Sequence, residues 1–199
     1  MRRFVIDGLH LVIDDQTYLP AEDTFLILDH LEMKGDEDVL DLGTGCGILA
    51  IIAAQKAKKV VAVDVNPYAV ICAKTNINIQ NLGDKVEVRY GDLFNTLRPK
   101  EKFDLIIFNP PYLPEEISPR EEWLSKAWAG GPKGTEITES FLSKVKSYLK
   151  KNGRILFIQS SLSRNKPLSG LKKCGLSGII KDTKRFDFET LFLIEATQL

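Results

Sequence analysis

The chain has 199 residues, 44% hydrophobic and 27% charged, a make-up that fits one globular domain with a sizeable core. Its 27 Lys and Arg balance 27 Asp and Glu, so the net charge is zero, which disfavours a surface devoted to sequence-blind duplex binding through phosphate neutralisation. Three cysteines without a CxxC and two isolated histidines form no metal-ligand spacing, and no apolar run approaches membrane-spanning length, so the expectation is a reduced, cytoplasmic protein with no metal, signal peptide or membrane anchor.

Taken in order, Phe4-Val5-Ile6 and the apolar residues 9–13 flank Asp7-Gly8, a two-residue hairpin turn, giving an N-terminal β-hairpin extension over residues 1–20. Tyr18-Leu19-Pro20-Ala21-Glu22-Asp23-Thr24 leads into a helix with Phe25, Leu28 and Leu31 as its apolar stripe. Pro20 suits the first turn, and Glu22 and Asp23 complement the helix dipole, so capping accounts for both acids. Capping does not account for Thr24, which a site can use.

Val39-Leu40-Asp41-Leu42 reads as a buried strand, followed by Gly43-Thr44-Gly45-Cys46-Gly47 and an apolar helix over residues 48–57. Glycine permits a tight turn and close approach of a ligand. Ile48 stands where a dinucleotide fingerprint has its last glycine, so the GxGxG spacing favours a smaller adenosine ligand over NAD. The next strand ends in Asp64, about twenty residues past the glycine turn, where an acid can bind ribose hydroxyls. A cap for the helix over residues 67–81 is its other use. That helix turns Ala69, Cys72, Ala73 and Ile77 inward. After the strand over residues 86–90, Asp92 can accept from an adenine amino group while Leu93 packs on the ring, although Gly91-Asp92 fits an ordinary turn equally well.

Leu105-Ile106-Ile107-Phe108 lacks alternation, as expected of a strand buried on both faces, and runs into Asn109-Pro110-Pro111-Tyr112. Proline ends the ladder and biases its predecessor to an extended conformation. The side-chain oxygen of Asn109 and the carbonyl of Pro110 can accept the two N–H bonds of a planar –NH2 group, with Tyr112 stacked on it; a plain Pro-Pro turn is the alternative. Residues 113–136 are expected to form a lid or substrate rim held down by Trp128. An amphipathic helix follows over residues 135–150, with Ile137, Phe141, Val145 and Leu149 on one face and Lys150-Lys151 at its C-terminus. Gly153 then breaks it. A strand over 154–159, a short helix over 166–174, a strand beginning at Ile179-Ile180 and a last, antiparallel strand over 190–196 complete a single domain of residues 1–199.

Alternating strands and helices predict an α/β, doubly wound sheet. The glycine turn, Asp64, Asp92 and the 109–112 tetrapeptide each follow one of four successive strands, which places them on one edge as one composite site.

These motifs resemble those of class I S-adenosylmethionine-dependent methyltransferases over nearly the whole chain. The resemblance implies a Rossmann-like, mostly parallel seven-stranded sheet. The glycine stretch from Val39 to Gly47 resembles the first cofactor motif, Asp64 and Asp92 the second and third. Asn109-Pro110-Pro111-Tyr112 resembles the motif of amino-group methyltransferases, which act on glutamine amide, adenine N6 or cytosine N4. Tyr18-Leu19-Pro20-Ala21-Glu22-Asp23-Thr24, with Leu113-Pro114 and Trp128-Ala129-Gly130-Gly131, is similar to the short archaeal and eukaryotic HemK-family enzymes. That branch implies S-adenosylmethionine as cofactor, N5-methylation of the glutamine in the GGQ motif of a class I release factor, and a small zinc-binding activator subunit as partner. It implies that Thr24, Asp41 and Gly43 serve the cofactor's methionine end, Asp64 the ribose, and Asp92 and Leu93 the adenine, with Gly45 and Gly47 also binding the cofactor. Asn109 then touches cofactor and substrate, and Pro110, Pro111 and Tyr112 complete the clamp. Adenine-N6 methylation of DNA or RNA, which needs base flipping, and lysine methylation are the alternatives on the same scaffold. A non-catalytic adenosine-binding subunit has no use for the clamp, and the GxGxG spacing disfavours a nucleotide-dependent dehydrogenase.

Overall fold

The structure, a computed structural model, describes residues 1–114 and 123–199. Strands β1 (Arg2–Ile6) and β2 (Leu9–Ile13) form the expected antiparallel hairpin. Asp7 and Gly8, with φ of 49° and 76°, make the primed turn that matches strand twist. There follow α1 (Glu22–Leu28), β3 (Asp38–Leu42), α2 (Ile48–Ala54), β4 (Lys59–Asp64), α3 (Pro67–Ile79), β5 (Val86–Tyr90) and β6 (Phe103–Phe108). After the short α4 (Trp123–Lys126) come α5 (Glu136–Val145), β7 (Leu149–Ser160), β8 (Leu176–Arg185) and β9 (Thr190–Gln198).

The main sheet has seven strands in the order β5-β4-β3-β6-β7-β9-β8. The first five are mutually parallel, and β9 runs antiparallel to both β7 and β8. The chain winds outward from β3 to β5 and then crosses back to β6, so the winding reverses between β3 and β6. That switch point opens a crevice at the carboxyl strand ends. Alternate strand residues feed opposite layers. Val39, Leu105 and Ile107 pack with α1, α2, α3 and the hairpin, while Leu40, Leu42, Ile106 and Phe108 pack with Phe141, Leu142 and Val145 of α5. Both faces are therefore covered, which explains the unbroken apolar runs of these strands.

One fully buried side chain fastens the hairpin to this frame. Asn76 of α3 accepts from Val12 N at 2.7 Å, donates to Val12 O at 2.9 Å, and donates to Cys46 O at 2.8 Å. It completes the ladder on one side of β2 and holds the glycine turn with the same amide.

Several elements differ from their sequence reading. Phe25, Leu28 and Leu31 are only half-buried, and the inward face of α1 is Asp23, Thr24, Leu26 and Ile27. Pro20 precedes the Ala21 cap instead of entering the helix. Leu149, Lys150 and Lys151 belong to β7, because Leu149 pairs with Phe103 and a register shift throws out the residues before Arg154. Lys150 therefore serves no helix terminus; its ammonium lies 2.7 Å from both Asp38 and Asp104. Gly153 sits inside that strand, not at a helix break. Residues 166–174 form turns with only a 3-10 turn at Lys172–Cys174, since Leu168 and Gly170 take φ of 65° and 84°. The α2 and α3 helices end at Ala54 and Ile79, before the expected 57 and 81, and β8 begins at Leu176.

The loop after β5 is fixed by Arg89, whose guanidinium meets Glu87 at 3.0 Å and Glu101 at 2.7 Å and donates to Thr96 O at 3.4 Å. These bonds hold both carboxylates below their ordinary range, Glu87 at about 2. A carboxylate with a lowered folded-state pKa contributes stability that is full above its unfolded value and is lost as pH falls. Thermal melts of wild type should accordingly lose Tm more steeply between pH 4.5 and about 2 than melts of Arg89→Met, whose curve starts lower and is flatter. Gly47 is constrained differently: φ is +88°, and an added Cβ would lie 3.2 Å from the Ala73 Cα. Gly47→Ala is expected to cost ~1–2 kcal/mol from the left-handed conformation alone, a Tm loss of roughly 2–8 °C by calorimetry.

Candidate active site

A cavity of about 310 Å³ opens at the carboxyl ends of the central strands. Its wall includes Thr24, Gly43, Gly45, Asp64, Asp92, Leu93, Asn109, Pro110 and Pro111, so nine of the residues singled out in the sequence meet around one space. Asp41, Gly47 and Tyr112 are not on that wall.

Strand register brings the turns together. Leu42 pairs with both Val63 and Phe108, so Gly43, Asp64 and Asn109 leave the sheet at one level. Backbone bonds stitch the turns: Thr44 N donates to Val63 O at 3.0 Å, and Gly91 N to Asp64 O at 2.9 Å. Asp64 completes the arrangement by accepting from Gly45 N and Asn66 N, each at 2.8 Å. Burial raises its pKa, and these N–H groups oppose the rise. Each oxygen keeps a further lone pair that can accept from a ligand hydroxyl.

Asp41 lies beneath the turn, fully buried, and accepts from the Thr44 hydroxyl at 2.6 Å. Burial pushes its carboxyl up to about 7, opposed by that hydroxyl and reinforced by Asp64. It supports the glycine loop from below and forms no part of the cavity surface. Gly47 likewise packs on α3. Gly91 is a glycine because a Cβ would lie 2.9 Å from the Thr96 Cβ, and the turn then holds Leu93 at φ +45°. A branched side chain in this region is strained, a condition concentrated at functional sites.

The 109–112 tetrapeptide is gripped from both sides. Leu113 N donates to Trp128 O at 2.8 Å and Gly130 N to Leu113 O at 2.9 Å. A Cβ on Gly130 would sit 2.6 Å from Pro111 O, so glycine is required there. The Ser163 hydroxyl donates to Tyr112 O at 3.2 Å. The expected rim over 113–136 is thus packed on the motif in its described part, with Trp128 edge-on to Tyr18 at 6.2 Å; residues 115–122 of it lie outside the described residues. Trp123, Lys126, Ala127 and Ala129 bring this segment onto the cavity wall.

Two polar features matter for chemistry. The Oδ1 of Asn109 is buried and has no hydrogen-bond partner among the described residues, whereas its Nδ2 donates to Thr24 Oγ1 at 3.4 Å. The second feature is Asp23, which the sequence reading took for a helix-dipole acid. It is 4% exposed and accepts from the hydroxyls of Tyr18 (2.9 and 3.0 Å) and Tyr112 (3.1 Å). Burial first, and then the Asp23 carboxylate, push both phenols well above their ordinary range, so both remain protonated donors. The signal was present in the sequence: Tyr18 and Asp23 stand in the same stretch as Thr24, but nothing local says that Tyr112 reaches them. Asn76 was missed as well, and so was the tie made by Asn66, which caps the start of α3 and also donates its side-chain N–H to Gln16 O at 2.7 Å.

The family model described as the methyltransferase small domain matches residues 22–121, and that of the Eco57I restriction-modification methylase matches residues 72–177. A protein of Methanocaldococcus jannaschii named for protein N5-glutamine methyltransferase activity is 40% identical over 197 residues, 98% of each chain. Methyltransferase HEMK2 of Homo sapiens is 32% identical over 91% of this chain and 89% of its own. The release factor glutamine methyltransferase of Clostridium acetobutylicum is 30% identical over 90% of this chain and 68% of its own. Among solved structures, the E. cuniculi Mtq2–Trm112 complex, responsible for methylating the eRF1 translation termination factor, aligns with a TM-score of 0.68 at 24% identity, over 92% of this chain and 99% of that one, a likeness of fold. Near-complete coverage at 40% identity makes this chain a member of the HemK family of protein glutamine methyltransferases.

Proposed function

We propose that the protein methylates the N5 amide nitrogen of the glutamine in the Gly-Gly-Gln motif of a peptide-chain release factor, with S-adenosylmethionine as methyl donor. The observation that carries this reading is Asn109, a residue of the cavity wall whose Oδ1 is buried and has no hydrogen-bond partner among the described residues; leaving such an acceptor unpaired costs ~1–3 kcal/mol. Family membership supplies the reaction class and the names of the relatives supply the substrate.

The residues present fit the cofactor. The Gly43 and Gly45 turn lets a ligand approach the backbone, with open space where a Gly45 Cβ would be. Thr24 and Gly43 suit the methionine end, Asp64 the ribose hydroxyls, and Asp92 with Leu93 the adenine. Bound there, the cofactor supplies a methyl group on a positively charged sulfur, already activated for transfer. The chain's own work is alignment. Asn109 Oδ1 and the Pro110 carbonyl accept the two amide N–H bonds, which holds the nitrogen in place and favours the positive charge that builds on it. Pro110 and Pro111 keep those acceptors rigid. The extra proton on the methylated nitrogen is acidic and leaves to water after transfer. Tyr112 lies off the cavity wall and steadies the far end of the motif through its hydroxyl, which is anchored on Asp23.

A small activator subunit is the partner we propose, on the strength of the Mtq2–Trm112 likeness in fold; its zinc rests on the family resemblance alone, and cytoplasmic location on the proposed substrate. Adenine-N6 methylation of DNA or RNA is the second reading, favoured by the likeness to a tRNA1(Val) (adenine(37)-N6)-methyltransferase of Haemophilus influenzae, 29% identical over 79% of this chain.

Labelled S-adenosylmethionine should transfer its methyl to recombinant release factor, with and without the activator, but not to the Gln→Ala GGQ control or to DNA. Label on DNA alone would move the protein to the adenine class. In the same assay Asn109→Ala should lose on the order of 100-fold in kcat, while its cofactor Kd, by calorimetry, changes only a few-fold. Asp64→Ala should act the other way, raising cofactor Kd roughly 10–100-fold for lost charge-assisted bonds. Equal effects of the two variants on Kd would contradict this division of roles.

A further inference from the structure

We propose that Asp23 is a positioning residue for the 109–112 motif: its carboxylate, delivered by α1, sets the polarity of the Asn109 amide and anchors Tyr112. The proposal rests on the reading above that Asn109 accepts a substrate N–H.

Asp23 is not acting as a helix cap. The cap position of α1 is Ala21, which makes no side-chain cap bond, and Glu22, the other acid of the first turn, points outward to Lys184. Asp23 instead faces inward and collects donors. Its Oδ1 accepts from Thr24 N at 2.6 Å, Thr24 Oγ1 at 3.2 Å and Tyr18 Oη at 3.0 Å. Its Oδ2 accepts from Tyr18 Oη at 2.9 Å and Tyr112 Oη at 3.1 Å. A buried carboxylate is tolerated only with such a complement of donors, and those donors are in turn locked by it.

The consequence follows from counting protons. A threonine hydroxyl has one proton to give. The Asp23 carboxylate can only accept, so the Thr24 proton is committed to it. Thr24 Oγ1 therefore presents a lone pair to Asn109, and only the Nδ2 end of the Asn109 amide can answer, as it does at 3.4 Å. Oδ1 is then left as the free acceptor of the clamp. A flipped amide would set oxygen against oxygen at Thr24 and turn N–H toward the substrate amide, whose own N–H groups are donors. The same carboxylate fixes Tyr112, three residues on, so both ends of the motif are tied to one group about ninety residues earlier in the chain. A neutral, isosteric Asn at position 23 offers one acceptor oxygen and an NH2 group with two N–H donors, and cannot receive all of these protons.

The test compares Asp23→Asn, Thr24→Val and the double variant with wild-type enzyme on release factor at saturating S-adenosylmethionine. Each single variant is expected to lower kcat at least tenfold with KM for the factor changed less than threefold. The double variant should be no slower than the slower single one, because both act through one chain of bonds. Glu22→Gln should retain wild-type kcat. A second readout needs no substrate: the Asn109 side-chain NH2 pair in an HSQC spectrum, assigned by its absence in Asn109→Ala, should move in Asp23→Asn and in Thr24→Val but not in Glu22→Gln. Wild-type kcat in Asp23→Asn, multiplying losses in the double variant, or an unmoved Asn109 resonance would each overturn the proposal. Should Asp23→Asn fail to fold, Thr24→Val carries both readouts. A wild-type enzyme that methylates no release factor sinks the substrate reading, and the amide resonance then decides the role of Asp23.

Discussion

The in-register parallel pairing of β3 with β6 is the constraint from which the site follows. Leu42 lies opposite Phe108, so the glycine turn and the Asn-Pro-Pro-Tyr motif emerge side by side where the winding of the sheet reverses. Pairing of β3 with β4 sets Asp64 at the same level, and pairing of β4 with β5 sets Tyr90 opposite Asp64, two residues before Asp92. A one-residue slip in any of these ladders would turn the apolar side chains of that strand to the other face. Both faces are buried against helices, so core packing and site geometry are specified together.

On this frame a few buried polar groups act as cross-links. Asn76 joins the hairpin to the glycine turn, Asp64 joins that turn to the start of α3, and Asp23 joins α1 to the motif after β6. Each is largely or wholly satisfied, so the cost of burial is met by directional bonds that admit one arrangement. Local exceptions cluster at the same edge: the positive φ of Leu93 and the glycines pressed on the carbonyls of the motif. They put rigid backbone where a transfer reaction needs alignment more than it needs an acid or a base.

The rim shows how the same edge is closed. The segment after the motif returns as a parallel bridge, Leu113 to Ala129, and then enters α5 through Gly130 and Gly134. Trp128 meets Tyr18 from the N-terminal segment, so both ends of the chain's first two-thirds converge over the cavity. The zero net charge of the chain fits a protein substrate better than a nucleic-acid groove, which agrees with the family.

The sequence by itself determined the strands, their order of use and the turn chemistry, because these are written in short windows: apolar runs of strand length, Asp-Gly, GxGxG and Asn-Pro-Pro-Tyr each state a local backbone conformation. It also implied the common edge, since parallel strands joined by helices put all their carboxyl ends on one side. It misplaced the elements whose state depends on a partner far along the chain. Residues 149–151 continue a helical pattern, yet they belong to β7 because Phe103 offers them a ladder. Phe25 and Leu28 look like a buried stripe, yet α1 turns Asp23 and Thr24 inward because Tyr18, Tyr112 and Asn109 supply the matching polar groups. Asp41 and Asp64 looked alike as acids of cofactor motifs, and only packing separates them: one is a fully buried support beneath the turn and the other reaches the cavity. Local windows carry backbone conformation, whereas burial and hydrogen-bond partners are properties of the assembled fold, and the role of Asp23 was decided there.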